Sequence, residues 1–158
     1  MTSFATKQMI AFGFTCASFI LWILAIATNY VCHHIEEDTC WALGDDYFEV
    51  IDTINDNSKW STVRTLHIVV IIMMAIVFIY YPVGKFLNYY EKTEFKIVEF
   101  SLQTLSFVLG LVALITSMSA YEDAAQKWAF GYYATLFATL FILPAHLLWI
   151  YYYFKGGE

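Results

Sequence analysis

The chain has 158 residues, enough for one domain; 60% of them are hydrophobic and only 14% are charged. Soluble proteins run at about 45–50% apolar and about 25% charged, so this balance excludes an average soluble domain and points to the membrane. The formal net charge is −6 and no basic cluster occurs, which excludes a nucleic-acid partner.

Charge is concentrated in one place. Eight of the fourteen acidic residues, Glu36, Glu37, Asp38, Asp45, Asp46, Glu49, Asp52 and Asp56, lie within 30–65. That segment also holds Cys32, Cys40, Trp41 and Trp60, and it is the one long run that cannot sit in lipid. Before it, 9–28 is apolar over 20 residues, and a bilayer core needs about 20. Ala25-Ile26-Ala27 has the small-x-small form of a signal-peptidase site. The run exceeds the roughly 7–15 apolar residues of a signal peptide, however, and Lys7 alone is a weak charged start. A retained helix over about 9–29 is the reading. Gly13 and Ala17, four apart, share a face on which another helix can approach closely.

Within 30–65, the stretch Tyr47-Phe48-Glu49-Val50-Ile51 is aromatic and β-branched and predicts a strand. Residues 52–58, with two Asn and two Asp, read as a turn. The alternative is an acidic loop with no sheet. The second apolar run, 66–82, has about 17 residues, the short end of the spanning range, with Pro82 and Gly84 marking its exit. A polar connector, 83–96, carries Lys85, Lys92 and Lys96, with Tyr89 and Tyr90 suited to the interface.

The third run is 97–120. Glu99 and Gln103 share a helical face near its start, and Ser106, Gly110, Ala113 and Ser117 form a small-residue stripe. Residues 121–127 read as a brief polar turn. The fourth run, 128–154, repeats the small spacing at Ala134 and Ala138. Pro144 predicts a kink, and Trp149, Tyr151, Tyr152 and Tyr153 form an aromatic belt.

Lysine and arginine set the orientation. Lys7, Lys85, Lys92, Lys96 and Lys155 fall on one side and Lys59, Arg64 and Lys127 on the other, which places both termini and the connector in the cytoplasm. Segment 30–65 then faces an oxidising compartment, where Cys32 and Cys40 can form a disulfide. Cys16 reads as a buried small apolar residue.

Chemistry is sparse. His33, His34, Glu36, Glu37 and Asp38 lie between the cysteines, but oxidised cysteines do not suit zinc, so no metal is expected. There is no Cys-x-x-Cys centre, no nucleophile–base pair and no Gly-rich phosphate loop, so neither an enzyme nor a cofactor is expected. His146 and Gln103 lie at similar depth on facing helices and could form an interhelical polar clasp, worth about 0.6 kcal/mol. The competing reading for Glu99, Gln103 and His146 is a proton or ligand role. Trp41 and Trp60 suit either a partner surface or the membrane interface.

This layout resembles the superfamily of peripheral myelin protein, epithelial membrane proteins and claudins. Trp60-Ser61-Thr62-Val63-Arg64-Thr65-Leu66 resembles the family's entry into its second helix, where claudins carry an arginine. Ala129-Phe130-Gly131-Tyr132-Tyr133-Ala134 resembles the fourth-helix entry of the epithelial membrane proteins. The usual Gly-Leu-Trp before the first cysteine is replaced by Asn29-Tyr30-Val31, the outer segment is shorter than a claudin's, and the tail lacks a PDZ-binding end. The resemblance implies a membrane all-α four-helix bundle with a small extracellular β-rich loop. In it, Arg64 anchors the outer sheet to the helix tops, while Trp41 and Trp60 remain candidate extracellular anchors for a partner. It further implies a plasma-membrane, non-enzymatic protein of cell–cell adhesion or paracellular junctions. The alternative is an auxiliary subunit of an ion channel or receptor, with the stripes of the third and fourth helices as its contact. Expected partners are membrane lipid and other membrane proteins, through self-association or a channel.

Overall fold

The computed structural model describes residues 4–34, 38–42, 57–87, 92–120 and 126–154. Four long helices dominate: α1 (Phe4–Ala27), α2 (Asn57–Phe86), α3 (Thr93–Ala120) and α4 (Phe130–Phe154). Each contains a stretch apolar and long enough to cross a membrane, namely Met9–Ala27, Ser61–Phe86, Thr93–Ser119 and Phe130–Leu148. Their outward side chains are apolar too: Ile20, Ile72, Ile115 and Phe137 are all more than half exposed. Such surfaces suit hydrocarbon, where every backbone polar group must be satisfied within the helix. The chain is a four-helix, multi-pass membrane bundle.

The helices exceed the apolar runs that announce them. α2 begins at Asn57, not at 66, and at about 1.5 Å per residue its 30 residues span about 45 Å. A hydrocarbon core is about 30 Å thick. Hydropathy marks the lipid span, while the helix continues into its polar flank; Asp56, Asn57 and Ser58 are residues favoured at helix starts rather than in turns only. Residues 57 and 58 therefore belong to the helix and not to the expected turn. At the other end Pro82 does not terminate α2, which runs four residues further. Proline deprives only the Phe78 carbonyl of its helical donor. The extra turn is held by α3, where Phe95 stacks on Tyr80 with centroids 3.9 Å apart and covers Gly84, at which a β-carbon would collide with the ring.

The main contacts close a ring, with α1 packed on α4 and α2, and α3 packed on α2 and α4. Trp22, Val70, Met74, Ala113, Ala138 and Ile142 form its middle. Small residues permit this closeness. Ser106, Gly110, Ala113, Ser117, Ala134 and Ala138 are all buried. A β-carbon on Gly110 would lie 2.9 Å from Thr139 Oγ1 and 3.0 Å from Trp22 Cζ2. Ser18 donates across to the Ala138 carbonyl at 2.8 Å. Gly13 corrects the expectation placed on it: it is exposed, and a β-carbon there would meet nothing within 4 Å, so it packs no helix of this bundle. Ala17 is half-buried.

One end of the bundle carries a three-stranded antiparallel sheet, in the order β2 (Asp38–Ala42), β1 (Asn29–His34), β3 (Gln126–Trp128). None of these strands is the one expected at 47–51, which lies outside the described residues. β3 replaces the end of the expected polar turn 121–127. β1 follows α1 after a single residue, and both of its edges are paired, by a segment from each of the two connections that emerge at this end.

Candidate functional site

The sheet and the helix tops beneath it form one unit, the cap. Cys32 and Cys40 face each other in the β1–β2 register and are disulfide-bonded. Cys32 is also opposite Lys127 of β3, so the residue that staples the first connection is paired to the second. The Ala129 amide donates to the Tyr30 carbonyl at 3.1 Å, continuing the attachment up to the start of α4.

Tyr30 fixes the cap to the bundle. It is fully buried, and its hydroxyl lies 2.9 Å from Ser117 Oγ of α3. Ser117 in turn donates to the Ala113 carbonyl at 2.7 Å, which leaves Tyr30 as the donor in the pair. The Tyr30 ring stands edge-on to His67 of α2 (5.3 Å, 89°) and to Tyr132 of α4 (6.0 Å, 82°). A second aromatic leg descends from β3, where Trp128 stacks on Tyr132 at 3.9 Å. Burial pushes the Tyr30 phenol up to about 12; hydrogen bonds to Ser117 and Thr135 oppose that rise, and the neighbouring Tyr132 adds to it.

His67 completes the seat. Its Nδ1 is 2.8 Å from the Val63 carbonyl, which only accepts, so Nδ1 carries the proton. Its Nε2 is 2.8 Å from Thr135 Oγ1, which donates to it in the neutral ring. Thr135 has the Gly131 carbonyl as an alternative acceptor at 3.1 Å. Trp22 meets the imidazole edge-on at 5.0 Å. Gly131 brings α4 against the end of α1: a β-carbon there would lie 2.8–3.1 Å from the carbonyl oxygens of Ala25, Thr28 and Asn29.

Of the expected anchors, Arg64 is half-buried on α2 and makes no ion pair among the described residues. The backbone of Trp41 runs in β2 and that of Trp60 in the first turn of α2. Their side chains lie outside the described residues, as do those of His33 and His34 and most of the acidic segment. Among the described residues, the anchoring contacts are made by Tyr30, Trp128, Tyr132 and His67. His67 is legible as a histidine inside an apolar run, a residue type that is expensive there without a partner. Tyr30 carries no such signal.

A second polar group lies toward the far end of the bundle. Glu99 and Gln103 are buried on α3, each 2% exposed, and Tyr81 of α2 is the electrostatic neighbour of Glu99. His146 of α4 is half-buried and lays its ring on Phe100, centroids 4.8 Å apart and 16° from parallel. The expected clasp does not form. Gln103 Oε1 and His146 Nδ1 are both buried with no hydrogen-bond partner among the described residues, and the imidazole stacks on Phe100.

No protein-family model matches the chain, and no curated protein matches it either.

Proposed function

We propose that the protein is a non-enzymatic recognition protein of the plasma membrane, claudin-like in plan, whose extracellular cap meets similar molecules on the same or a facing cell. The observation that carries this reading is the cap itself: two separate connections share one disulfide-stapled sheet, seated on the bundle through Tyr30 and Trp128. A preorganised surface loses little conformational entropy on binding, which is what a recognition surface requires. A disulfide at this end supports an oxidising compartment for the cap and a cytoplasmic side for the termini. The acidic residues of 43–56 follow β2 in the sequence, and a paracellular path on this side of the membrane would favour cations.

The auxiliary-subunit reading needs a sideways contact through the small-residue stripes of α3 and α4. Those stripes are consumed inside the bundle, which favours the cap as the working surface. The test is expression in non-adherent cells. Enrichment at cell–cell contacts, lost when Cys32 and Cys40 are replaced by serine, supports adhesion. Uniform surface display together with a co-purifying channel protein refutes it in favour of the auxiliary role.

A further inference from the structure

We propose that the seat of the cap is an acid-operated latch, in which His67 takes a proton and the sheet is released from the helix tops. His67 is fully buried where α1, α2, α4 and β1 meet. Trp22 of α1 and Tyr30 of β1 stand edge-on to its ring at 5.0 and 5.3 Å, and Thr135 of α4 meets Nε2 at 2.8 Å. Tyr30 is also the side chain that ties β1 to α3 and α4. The group that can take a proton therefore touches the side chain that holds the cap.

The hydrogen bonds of the seat do not oppose the proton. In the neutral ring Nδ1–H donates to the Val63 carbonyl and Nε2 accepts from Thr135. In the imidazolium Nδ1–H keeps its acceptor, Nε2–H donates to Thr135 Oγ1, and the Thr135 hydroxyl turns to the Gly131 carbonyl 3.1 Å away. What the described residues lack is a counter-charge. Trp22 and Thr135 do not ionise. The phenols of Tyr30 and, behind it, Tyr132 are neutral in acid, that of Tyr30 being pushed up to about 12 by burial. α3 contributes only Ser117, which reaches Tyr30. Arg64, three residues earlier on α2, has the wrong sign. The buried carboxylate of Glu99 is eighteen residues along α3 from Ser117, about 27 Å.

A buried charge without a partner is relieved by water. His67 lies six residues, about 9 Å, inside the sheet end of the α2 span. Water is nearest on the side that Tyr30 and β1 cover, so hydrating the imidazolium displaces Tyr30 and lifts the sheet. The released state hydrates the proton and the seated state does not, so the seat is complete at neutral pH and weakens in acid. One proton taken up on release lowers the midpoint by at most about 3–5 °C per pH unit. The latch belongs to the seat and stands whether or not the cap meets a partner.

The experiment uses the full chain in phosphatidylcholine nanodiscs with isotope-labelled histidine, alongside His67→Gln, whose side chain is neutral at every pH. Imidazole nitrogen shifts, amide exchange in β1 and β3, and thermal midpoint are read between about pH 4 and 8. Expected is one imidazole in the Nδ1–H form, absent from His67→Gln, which gains its second proton in step with loss of amide protection in β1 and β3. The wild-type midpoint falls with acid more steeply than that of His67→Gln, by up to about 3–5 °C per pH unit. An imidazole that stays neutral down to about pH 4 overturns the proposal, as does one that takes the proton while β1 stays protected. Equal pH dependence in the two proteins also overturns it and assigns the acid response to the carboxylates. The Nδ1–H signature identifies His67 without the variant, so wild type alone decides should His67→Gln not fold.

Discussion

Two glycines, one at the α1–α4 interface and one on the outer face of α1, are predicted to respond with opposite signs to the same substitution. At Gly131 an added β-carbon would sit 2.8 Å from the Ala25 carbonyl oxygen, 3.0 Å from that of Asn29 and 3.1 Å from that of Thr28. All three are backbone atoms at the α1–β1 junction, so none can turn aside as a side chain would. Overpacking of this kind costs about 1–3 kcal/mol. Gly131 is the second residue of α4, so alanine recovers little helix propensity there. At Gly13, in the interior of α1, an added methyl meets nothing within 4 Å. Removing a glycine from a helix interior gains about 0.5–1 kcal/mol. With about 2–4 °C per kcal/mol for a chain of this size, Gly131→Ala should lower the midpoint by roughly 2–12 °C and Gly13→Ala raise it by about 1–4 °C. The assay is thermal unfolding in detergent, with reductant accessibility of Cys32–Cys40 as a readout of the cap. The reasoning fails if Gly131→Ala matches wild type in both measurements, or if Gly13→Ala is the more damaging change.

The seat of Tyr30 makes further predictions. Tyr30→Phe should cost about 1 kcal/mol, since Ser117 keeps its bond to the Ala113 carbonyl, whereas Tyr30→Ala should cost about 3–5 kcal/mol through the cavity it leaves; chemical unfolding distinguishes the two. The folded state holds the Tyr30 proton more tightly than the unfolded one, so the stability this supplies is complete below pH 10 and is lost as pH rises to about 12. That gap corresponds to about 3 kcal/mol, and tyrosinate absorbance should show one group ionising last, together with release of the cap. Thr135→Val should cost about 1–3 kcal/mol because it strands the buried His67 Nε2. His67→Leu should be milder, because Thr135 can turn to the Gly131 carbonyl; a reversed order in thermal unfolding would contradict the assigned proton positions. Cys32→Ser with Cys40→Ser should lower stability by about 2–3 kcal/mol, with loss of amide protection confined to β1 and β2 in hydrogen exchange.

The sequence by itself determined where lipid is. Four apolar runs, the small residues Ser106, Gly110, Ala113, Ser117, Ala134 and Ala138, and the paired cysteines are all legible in it. Each depends on local composition or on a spacing along one helix, and burial follows the stripe. Helix ends are less legible, because hydropathy reports the solvent around a helix and not its hydrogen bonds. Asn57 to Ser61 and the turn beyond Pro82 are helical in spite of their polarity or their proline. Gly13 misleads for a related reason: a glycine permits a close approach, but only the arrangement of the other three helices decides whether one arrives.

What the tertiary structure alone decided is the cap. β1 and β3 are separated by some ninety residues along the chain, and the three residues of Gln126–Trp128 carry no alternation from which a strand could be inferred. Tyr30 becomes an anchor only because α2, α3 and α4 bring His67, Ser117 and Tyr132 to one point. The same holds at the other end, where the sequence suggested a bond between Gln103 and His146. They do not bond, and the imidazole stacks on Phe100. Positions along a helix follow from about 1.5 Å per residue, whereas the orientation of a side chain between two helices is set by whatever the neighbouring helix places against it.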